Sequence, residues 1–568
     1  MALKQTAIFI LGPTALPLAQ KIKAELGGLI HGPEGLDGCD VSYDKATHAI
    51  SRAFAFNHSI IGICAAGILI RAVADRLKNK HREPPVISIA EDGSSAVPLL
   101  GGHHGANDLA SKIATITKGN AAITTASDVM FGDLLDDPFG AHLSNRDDYK
   151  AAVAAKLRGE EITQEVTIHN KTGSPHHLVY HPSTLAVGIG CERGTEPAEV
   201  KQLLDETLAA NNLAEKSIFQ FASIDLKEDE AAINQFGNVF YFTAEQLKKQ
   251  SSRIENPSLV VEAEVGTPSV AEAAALSLVG GYGKLIVPKV KSKRATIAIA
   301  QAANYNDFQT HEGRRQGHIS IVGIGPGAWG TLTPNVDFEL WFATEWVGYS
   351  LYLDLVEHLR SGHERHDFPL GEEEARCRHA IELAKQGKRV ALVCSGDAGI
   401  YAMAALVYEI IDLEPCRIAV EVHPGISAFQ AASASAGAMI GHDFCCISLS
   451  DLLTPWEVIE KRLHAAAEGD FVISFYNPRS LKRRDQLERA FAILKNHRPP
   501  DTPVVIASNL GRPSEKTKIV KFADFNPDEV DMLTLVMVGS SQSKSFMRGD
   551  GKTYAYTPRG YAKKRDLQ

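Results

Sequence analysis

The sequence predicts a multidomain protein of the α/β class. With 568 residues, the chain exceeds the size that a single hydrophobic core supports. Apolar runs of strand length alternate with helical patterns along most of the chain, which is typical of mainly parallel sheets covered by helices. Several of these runs end in glycine, at the strand ends where open α/β sheets bind their ligands. We therefore expect several sheets, with binding sites at the ends of strands.

Composition and charge narrow the class of protein. The net charge of −9 provides no global positive field, which argues against a nucleic-acid partner. No apolar run approaches the ~20 residues that a membrane span needs, and the N-terminus lacks a signal-peptide pattern. The eight cysteines include no C-x-x-C pair, so we expect no structural metal site. We expect the cysteines to be reduced, the protein to be cytoplasmic, and no membrane to be a partner.

Shifts in composition divide the chain into five predicted segments. Strand candidates in the first are Ala7–Leu11, Ser59–Cys64, Val86–Ala90 and Ala122–Thr125. The segments are an N-terminal α/β domain (1–140), a polar middle segment or small subdomain (141–180), a second α/β domain (181–302), a polar linker (303–316) and a C-terminal block (317–562).

The C-terminal block opens with a strand that runs into the glycine-rich turn Gly323-Ile-Gly-Pro-Gly327. Gly323, Gly325 and Ala328 also fit the dinucleotide fingerprint G-x-G-x-x-A, so a nicotinamide oxidoreductase is the rival interpretation. That fingerprint needs a helix starting at the turn, whereas Pro326 interrupts the turn and the next helix signal comes at Thr333-Pro334. A tight turn without any ligand is the other alternative.

A second strand ends at Ser395-Gly-Asp397, before a helix predicted from Ile400 to Ile411. A carboxylate at the end of a strand suits a cationic or hydroxyl-bearing ligand, and S-adenosylmethionine offers a sulfonium, an ammonium and a ribose. The alternative for Asp397 is capping of the helix. Three further strands end in Gly/Pro/Asn turns, at His423–Ser427, Tyr476–Arg479 and Gly539.

The order of these motifs resembles that of the tetrapyrrole (precorrin) methyltransferase family. The motifs are Val322-Gly-Ile-Gly-Pro-Gly327, Val347-Gly-Tyr349, Ser395-Gly-Asp397, Pro424-Gly-Ile-Ser427 and Tyr476-Asn-Pro478. The resemblance runs from about His318 to Arg559. Within the family, Gly348–Asp354, Ser395–Met403, Gly441–Cys445 and Ile447–Glu457 are most similar to precorrin-3B C17-methyltransferases. Ala328-Trp329 is a departure, because many members have an acidic residue or serine after Gly-Pro-Gly.

The resemblance implies a two-lobed α/β methyltransferase with S-adenosylmethionine in the cleft between the lobes. The tetrapyrrole substrate, with or without cobalt, would lie over the first-lobe glycine loop, and the family suggests a homodimer. The expected cofactor-site residues are Gly325, Pro326, Gly396, Asp397, Ile400, Ser427, Tyr476, Asn477 and Gly539. Methyl transfer needs mainly alignment, whereas ring contraction needs proton movement. His442 and Asp451 are the catalytic candidates by motif, with loop hydrogen bonding or capping as their alternatives.

The N-terminal half carries motifs that resemble cobalt-precorrin-5A hydrolase of the CbiG type. They are Gly62–Ala74, His81–Gly93, Leu99–Asp108 and Ala122–Asp128, and the block from about Leu185 to Ala300 resembles the C-terminal domain of that enzyme. Departures are Gly101-Gly-His-His-Gly105, in place of Ser-Gly-His-Leu-Gly-Gly, and Glu91, where aspartate is common.

Opening a lactone with release of acetaldehyde would need a base for water and donors for an oxyanion. His103 with Glu91 or Asp92 is the candidate base, and the Gly101 and Gly102 amides are candidate donors. The alternatives are a structural role for His103 and a non-catalytic corrinoid-binding module. The sequence thus predicts a fused corrin-biosynthesis protein that methylates precorrin-3B at C17 with ring contraction. Methylation at another corrin position is the alternative.

Overall fold

The computed structural model describes residues 6–78, 83–124, 141–237, 239–303, 308, 311–360, 362–480 and 485–561. Each α/β segment forms its own sheet and core, as the multidomain prediction requires.

The first domain contains a seven-stranded sheet. Its strands are β1 (Thr6–Ile10), β2 (Leu29–Pro33), β3 (Val41–Tyr43), β4 (Ser59–Ile63), β5 (Val86–Ile89), β6 (Ser95–Leu100) and β7 (Asn120–Ala121), in the order β3-β2-β1-β4-β5-β6-β7. Its helices are α1 (Leu16–Leu26), α2 (Ala46–Ala55), α3 (Ala66–Val73) and α4 (Ala106–Thr117). The strands from β3 to β5 are parallel and β6 is antiparallel to β5. Of the strand expected at Ala122–Thr125, the described residues up to Thr124 follow the short β7 without joining a strand, and Thr125 lies outside the described residues.

The middle segment is a small subdomain. It consists of β8 (Ala141–Leu143), α5 (Tyr149–Leu157), β9 (Thr163–Val166) and β10 (His177–Pro182), with the strand order β8-β10-β9. Leu143, Ala152, Leu178 and Tyr180 form its core.

The second α/β domain has a five-stranded sheet. Its strands are β11 (Leu185–Cys191), β12 (Ile218–Ile224), β13 (Val239–Phe242), β14 (Lys284–Lys291) and β15 (Ala295–Gln301), in the order β13-β12-β11-β15-β14. Its helices are α6 (Pro197–Ala210), α7 (Ala231–Asn234), α8 (Ala244–Lys248), α9 (Leu259–Val265) and α10 (Val270–Leu278). The end of the predicted linker is attached to this domain, because the Tyr241 N–H donates to Arg314 O at 2.7 Å.

The C-terminal block has two lobes. The first contains β16 (His318–Gly323), α11 (Pro334–Phe342), β17 (Glu345–Tyr349), α12 (Ser350–Val356), β18 (Glu364–Phe368), α13 (Glu373–Lys385), β19 (Arg389–Cys394), α14 (Met403–Leu413) and β20 (Ala419–His423). Its sheet is parallel, in the order β18-β17-β19-β16-β20. Thr333 caps α11 as expected, because its Oγ1 accepts a hydrogen bond from Val336 N at 3.3 Å.

The second lobe has a mixed sheet. It contains α15 (Ala428–Ala436), β21 (Gly437–Ala438), β22 (Phe444–Ser448), α16 (Trp456–Glu468), β23 (Val472–Tyr476), α17 (Gln486–Leu494), β24 (Pro503–Ser508), β25 (Lys516–Lys521), β26 (Thr534–Val538), β27 (Lys544–Met547) and β28 (Thr553–Tyr556). The main sheet has the order β22-β23-β26-β24-β25, with a small sheet β21-β28-β27 beside it.

Helix α11 forms a seam between the first domain and the first lobe. Trp341 stacks on Phe56 with ring centroids 4.2 Å apart and planes 5° apart. Arg52 of α2 forms an ion pair with Asp337 of α11 at 2.7 Å. None of the helices in the described ranges has both the length and the apolar content to cross a bilayer.

Candidate active site

Three glycine turns of the first lobe meet at one edge of its sheet. They follow β19, β16 and β20, which are parallel neighbours and therefore end at the same edge. The Gly325 N–H donates to Gly396 O at 3.0 Å, and the Gly396 N–H donates back to Gly325 O at 2.8 Å. Both glycines have positive φ, +74° and +68°, which other residues rarely adopt. The first two turns are therefore joined through their backbones.

The third turn packs equally closely. A Cβ on Gly425 would lie 2.1 Å from Gly396 O and 2.2 Å from Gly323 O. No side chain fits such a space, so this position requires glycine. The convergence of the turns, on which the predicted cofactor crevice depends, is thus present in the fold.

Asp397 ties the second turn to the third. Its Oδ1 accepts a hydrogen bond from Gly399 N at 2.8 Å, and its Oδ2 accepts one from Gly425 N at 3.1 Å. The helix expected from Ile400 begins at Met403, with Ala402 as its N-cap. Asp397 therefore does not cap that helix, and its carboxylate lies half-exposed at the strand ends.

Residues of the second lobe lie on the other side of the first-lobe glycine turns. Ser427 is the N-cap of α15, and its N–H donates to Gln430 Oε1 at 2.9 Å. The Tyr476 hydroxyl accepts a hydrogen bond from Phe429 N at 3.3 Å, which joins β23 to α15. Burial raises the pKa of Tyr476 strongly, so its hydroxyl stays protonated and can also donate.

The loop after β19 reaches across to this wall. Ile400 packs against the apolar cluster between α15 and the second-lobe sheet. The Tyr401 ring lies 5.0 Å from the ring of Tyr476, and its hydroxyl donates to Cys446 O at 3.0 Å. Asn477 has φ +49°, and its Nδ2 donates to Ser448 Oγ at 3.2 Å. These contacts place Ile400, Tyr476 and Asn477 where the lobes meet.

Gly539 lies elsewhere, and its assignment to the cofactor site is corrected. Strands β26 and β23 are antiparallel, with Val538 opposite Ile473. Gly539 therefore follows the end of β26 at the edge where β23 begins. Tyr476 lies at the other edge, about 13 Å away along the strand. A motif at the end of a strand does not reveal the direction of that strand, which is why the sequence misplaced Gly539.

His442 is corrected for the same reason. It precedes β22, whose first residue Phe444 is opposite Val472, whereas its last residue Ser448 is opposite Tyr476. The His442 ring is exposed and lies 3.1 Å from Asp443 Oδ2. Its contacts are those of a surface loop, which was the alternative for this residue.

Asp451 lies on the edge that carries Tyr476. The Leu449 N–H donates to Tyr476 O at 2.9 Å, which places the chain after β22 beside that turn. The Asp451 Oδ2 accepts a hydrogen bond from Gln486 Nε2 at 3.0 Å. Asp451 therefore remains a candidate.

The sequence missed a loop of the second lobe that contacts the first-lobe glycine turn. A Cβ on Gly511 would lie 2.7 Å from Ala328 N and 3.1 Å from the carbonyl carbon of Pro326. The neighbouring Arg512 has a buried Nε without a hydrogen-bond partner among the described residues. A signal was present, since Ser508-Asn-Leu-Gly-Arg-Pro513 follows an apolar strand like the other turns.

The described residues bring together one group that could hold a metal ion, although we expected no metal. Glu339, Glu421 and His423 have ligand atoms within 4.8 Å of one another. Glu339 Oε2 accepts a hydrogen bond from Ser320 Oγ at 2.6 Å and lies 3.5 Å from Arg389. Its charge is thus already compensated by protein groups, and we assign no ion to it.

In the first domain, the register separates Gly101 from the carboxylates of Glu91 and Asp92. Because β5 and β6 are antiparallel, with Val86 opposite Leu100, Gly101 lies where β5 begins. Glu91 and Asp92 lie beyond the other end of β5, more than ~13 Å from Gly101 along the strand. At that edge of the sheet, Glu91 accepts a hydrogen bond from Thr14 Oγ1 and Asp92 accepts one from Ser94 N.

The pairing of His103 with either carboxylate therefore stays a prediction, which the distance between Gly101 and these carboxylates disfavours. The backbone of His103 lies in the short helix Gly102–His104, but its side chain lies outside the described part of the structure. Gly101 is the N-cap of this helix, with φ +77°. The Gly101 and Gly102 amides stay predictions as oxyanion donors. The last residues of the motif that ends at Asp128 also lie outside the described residues.

Comparison with known families covers most of the chain. Residues 318–526 match the family model of Tetrapyrrole (Corrin/Porphyrin) Methylases. Residues 185–300 match Cobalamin synthesis G C-terminus, and residues 48–128 match Cobalamin synthesis G N-terminal.

Individual relatives match over the C-terminal block. Precorrin-3B C(17)-methyltransferase of a Sinorhizobium species is 40% identical over 249 residues, which are 43% of this chain and 98% of the relative. Cobalamin biosynthesis protein CobIJ of Mycobacterium tuberculosis is 44% identical over 257 residues, 44% of this chain and 50% of the relative. The chain thus spans about half the length of CobIJ. The crystal structure of the methyltransferase CobJ is 39% identical, covering 43% of this chain and 100% of that one, with a TM-score of 0.40.

Proposed function

Because the chain belongs to the tetrapyrrole (corrin/porphyrin) methylase family, we propose that its C-terminal block methylates a corrin precursor in cobalamin biosynthesis. The proposed substrate is precorrin-3B or its cobalt-bearing form, methylated at C17 with contraction of the ring, in keeping with the name of the Sinorhizobium relative. The observation that carries this proposal is the backbone pairing of Gly325 with Gly396 at the edge where the lobes meet.

The residues at this edge fit S-adenosylmethionine. Each Asp397 oxygen accepts one backbone N–H among the bonds described, which leaves lone pairs for an ammonium or a ribose hydroxyl. Ile400 and Tyr476 add apolar surface beside it. We assign the cofactor to these residues together with Gly325, Pro326, Gly396, Ser427 and Asn477. When bound, the cofactor supplies a methyl group on a sulfonium, which is a good leaving group.

The protein contributes alignment and the exclusion of water, since transfer to an electron-rich carbon needs little acid–base help. Arg512 is suited to align the substrate. Its Nε has no described partner, and its Cγ would lie 3.2 Å from a Cβ on Gly327. Guanidinium groups bind carboxylates strongly, and an acidic tetrapyrrole over the glycine loop would present them. We assign to Arg512 the binding of one acidic side chain of the substrate.

Ring contraction needs a group that moves a proton at a substrate hydroxyl. Asp451 is the remaining candidate, because it lies beside the Tyr476 turn and Gln486 fixes its carboxylate. The N-terminal half is proposed to act in the same pathway as a hydrolase-like unit, which the matches at 48–128 and 185–300 support. Release of acetaldehyde from cobalt-precorrin-5A by the full chain, and its loss in His103→Ala, would test that activity.

The methyltransferase proposal is tested by ligand binding and by analysis of the product. S-adenosylhomocysteine should raise the thermal midpoint of the full chain, whereas NADPH should not. Protection by NADPH alone would favour the nicotinamide rival. Mass spectrometry and NMR of the tetrapyrrole product should place the new methyl group at C17. A methyl group at another carbon would replace the proposed substrate with the alternative methylation position.

A further inference from the structure

A cavity of about 700 Å³ lies between the first domain and the first lobe. Strand β3, the loop after it and α2 form one wall, and α11 with His358 and Leu359 forms the other. Strand β3 is an edge strand, at the opposite end of the seven-stranded sheet from the Gly101 turn. The cavity is thus separate from the predicted hydrolase residues.

Buried hydrogen-bond donors without partners face this cavity. His58 is 5% exposed, and neither ring nitrogen has a hydrogen-bond partner among the described residues. The Nε of Arg52 is also buried without a partner, while another nitrogen of its guanidinium lies 2.7 Å from Asp337 Oδ1. Because a buried polar group without a partner costs free energy, a ligand that pairs with these donors would gain affinity at this site.

The electrostatics of the wall favour an acidic ligand. Burial, reinforced by the charge of Arg52, lowers the pKa of His58 to about 4. Burial and then His58 lower the pKa of His31 to about 3. Both rings are therefore neutral near pH 7, so each can donate an N–H without repelling the guanidinium. Arg76 also lines the cavity, and the Arg52 and Arg76 guanidinium groups can pair with carboxylates.

The rest of the lining indicates the shape of the ligand. Trp341 and Leu359 contribute apolar surface beside the cationic groups, and acidic side chains at Glu34 and Asp44 disfavour a compact polyanion such as phosphate. A large, flat molecule with an apolar body and separate carboxylates satisfies both kinds of wall. The volume lies within the ~300–1,000 Å³ that small-molecule sites occupy.

The cavity also approaches the methyltransferase cleft. A second, much smaller cavity is lined by Gly327 and Ala328 of the glycine turn and shares His358 and Leu359 with the large one. A ligand between the domains would therefore lie just behind the loop over which the substrate is expected.

From this geometry, and resting on the proposed function, we propose that the interdomain cavity is a second binding site for a carboxylate-bearing tetrapyrrole. It would hold a corrin intermediate next to the methyltransferase, outside the methyl-transfer cleft. A corrin intermediate held between the hydrolase-like half and the methyltransferase would have a raised local concentration at both, and no further catalytic group is needed for this effect.

The test is a fluorescence titration of the full chain with uroporphyrin, an octacarboxylic tetrapyrrole. The wild type should bind uroporphyrin at this site, and the double variant His58→Phe/Arg76→Gln should bind that molecule of uroporphyrin at least tenfold more weakly. The ring centroids of His58 and Trp341 are 4.5 Å apart. Phenylalanine at position 58 keeps an aromatic ring beside Trp341 but removes the unpaired ring nitrogens. The matched control is Arg158→Gln, an exposed arginine of the middle subdomain, which should bind like the wild type.

The site would be overturned if the double variant bound uroporphyrin with the same stoichiometry and affinity as the wild type. Its assignment to tetrapyrroles would be overturned if the wild type bound citrate in a His58-dependent way but bound no uroporphyrin that depends on His58. Far-ultraviolet circular dichroism of the variant verifies folding, and the single variant His58→Phe repeats the test if the double variant unfolds. A parallel titration with S-adenosylhomocysteine reports on the methyl-donor site, so failure of the proposed function is seen separately.

Discussion

At the scale of single residues, Asp397 is the side chain whose role is most directly testable. Its two carboxylate oxygens accept backbone hydrogen bonds from two turns, and the side chain is half-exposed at the strand ends. We expect Asp397→Ala to weaken the binding of S-adenosylhomocysteine by tenfold or more, or ~1.4 kcal/mol and above, because a hydrogen bond to a charged group is lost. Isothermal titration calorimetry measures this, with Asp412→Ala on the exposed face of α14 as the control. An unchanged affinity would remove Asp397 from the site.

We expect opposite results from variants of His442 and Asp451. The exposed His442 lies at the edge of the sheet away from the turns, so His442→Ala should yield the wild-type product. Asp451→Asn keeps a similar shape but removes the charge, and we expect methylation to continue while ring contraction slows by ~100-fold. Mass spectrometry and NMR of the products separate the two steps. Loss of contraction in His442→Ala would restore that residue as a candidate.

At the scale of elements, the packing of the three turns is the critical feature. Gly425→Ala should force the turns apart, because its Cβ would overlap two carbonyl oxygens. We expect the free energy of unfolding to fall by ~1–3 kcal/mol, as overpacking does, together with loss of S-adenosylhomocysteine binding. Gly281→Ala, with no atom near its Cβ, is the control in thermal unfolding. Wild-type stability and binding in Gly425→Ala would mean that the turns do not need this close approach.

The sequence predicted elements better than their arrangement. Strand ends with glycine were recognisable because a buried apolar run and a following turn are local signals, and Gly325, Gly396 and Asp397 do come together. The direction of β26 and the pairing of β22 depend on contacts between distant segments. No local pattern encodes them, so Gly539 and His442 were misplaced and Gly511 was missed. Similarly, the sequence predicted β5 but not β6, and the antiparallel pairing of these two strands separates Gly101 from Glu91.

At the scale of the whole molecule, an ion pair connects the second α/β domain to the linker that precedes the methyltransferase block. Burial raises the pKa of Glu228 to about 7, and Arg314 of the linker lies 2.8 Å from its carboxylate. Because the folded-state pKa lies above the unfolded value of 4.5, folding takes up a proton. This contribution to stability is complete below pH 4.5 and is lost as the pH rises through about 7.

We therefore expect the free energy of unfolding of Glu228→Gln to depend less on pH between 5 and 7 than that of the wild type. The difference should exceed about 1 kcal/mol across this range. Urea unfolding at several pH values measures it, with the more exposed Glu262→Gln as the control. An identical pH dependence in the wild type and Glu228→Gln would contradict the shifted pKa. The expected homodimer and cytoplasmic location stay predictions at this scale.

The seam at α11 has a consequence for how the two halves of the chain stay together. The ring of Trp341 covers Phe56, and the Arg52–Asp337 pair bridges the same surface, so each half carries a face shaped for the other. A peptide-bond cleavage anywhere in the 303–316 stretch would consequently produce two fragments with complementary surfaces rather than two independent proteins. Genetic fusion then fixes the stoichiometry of the partners, while noncovalent affinity holds them in register.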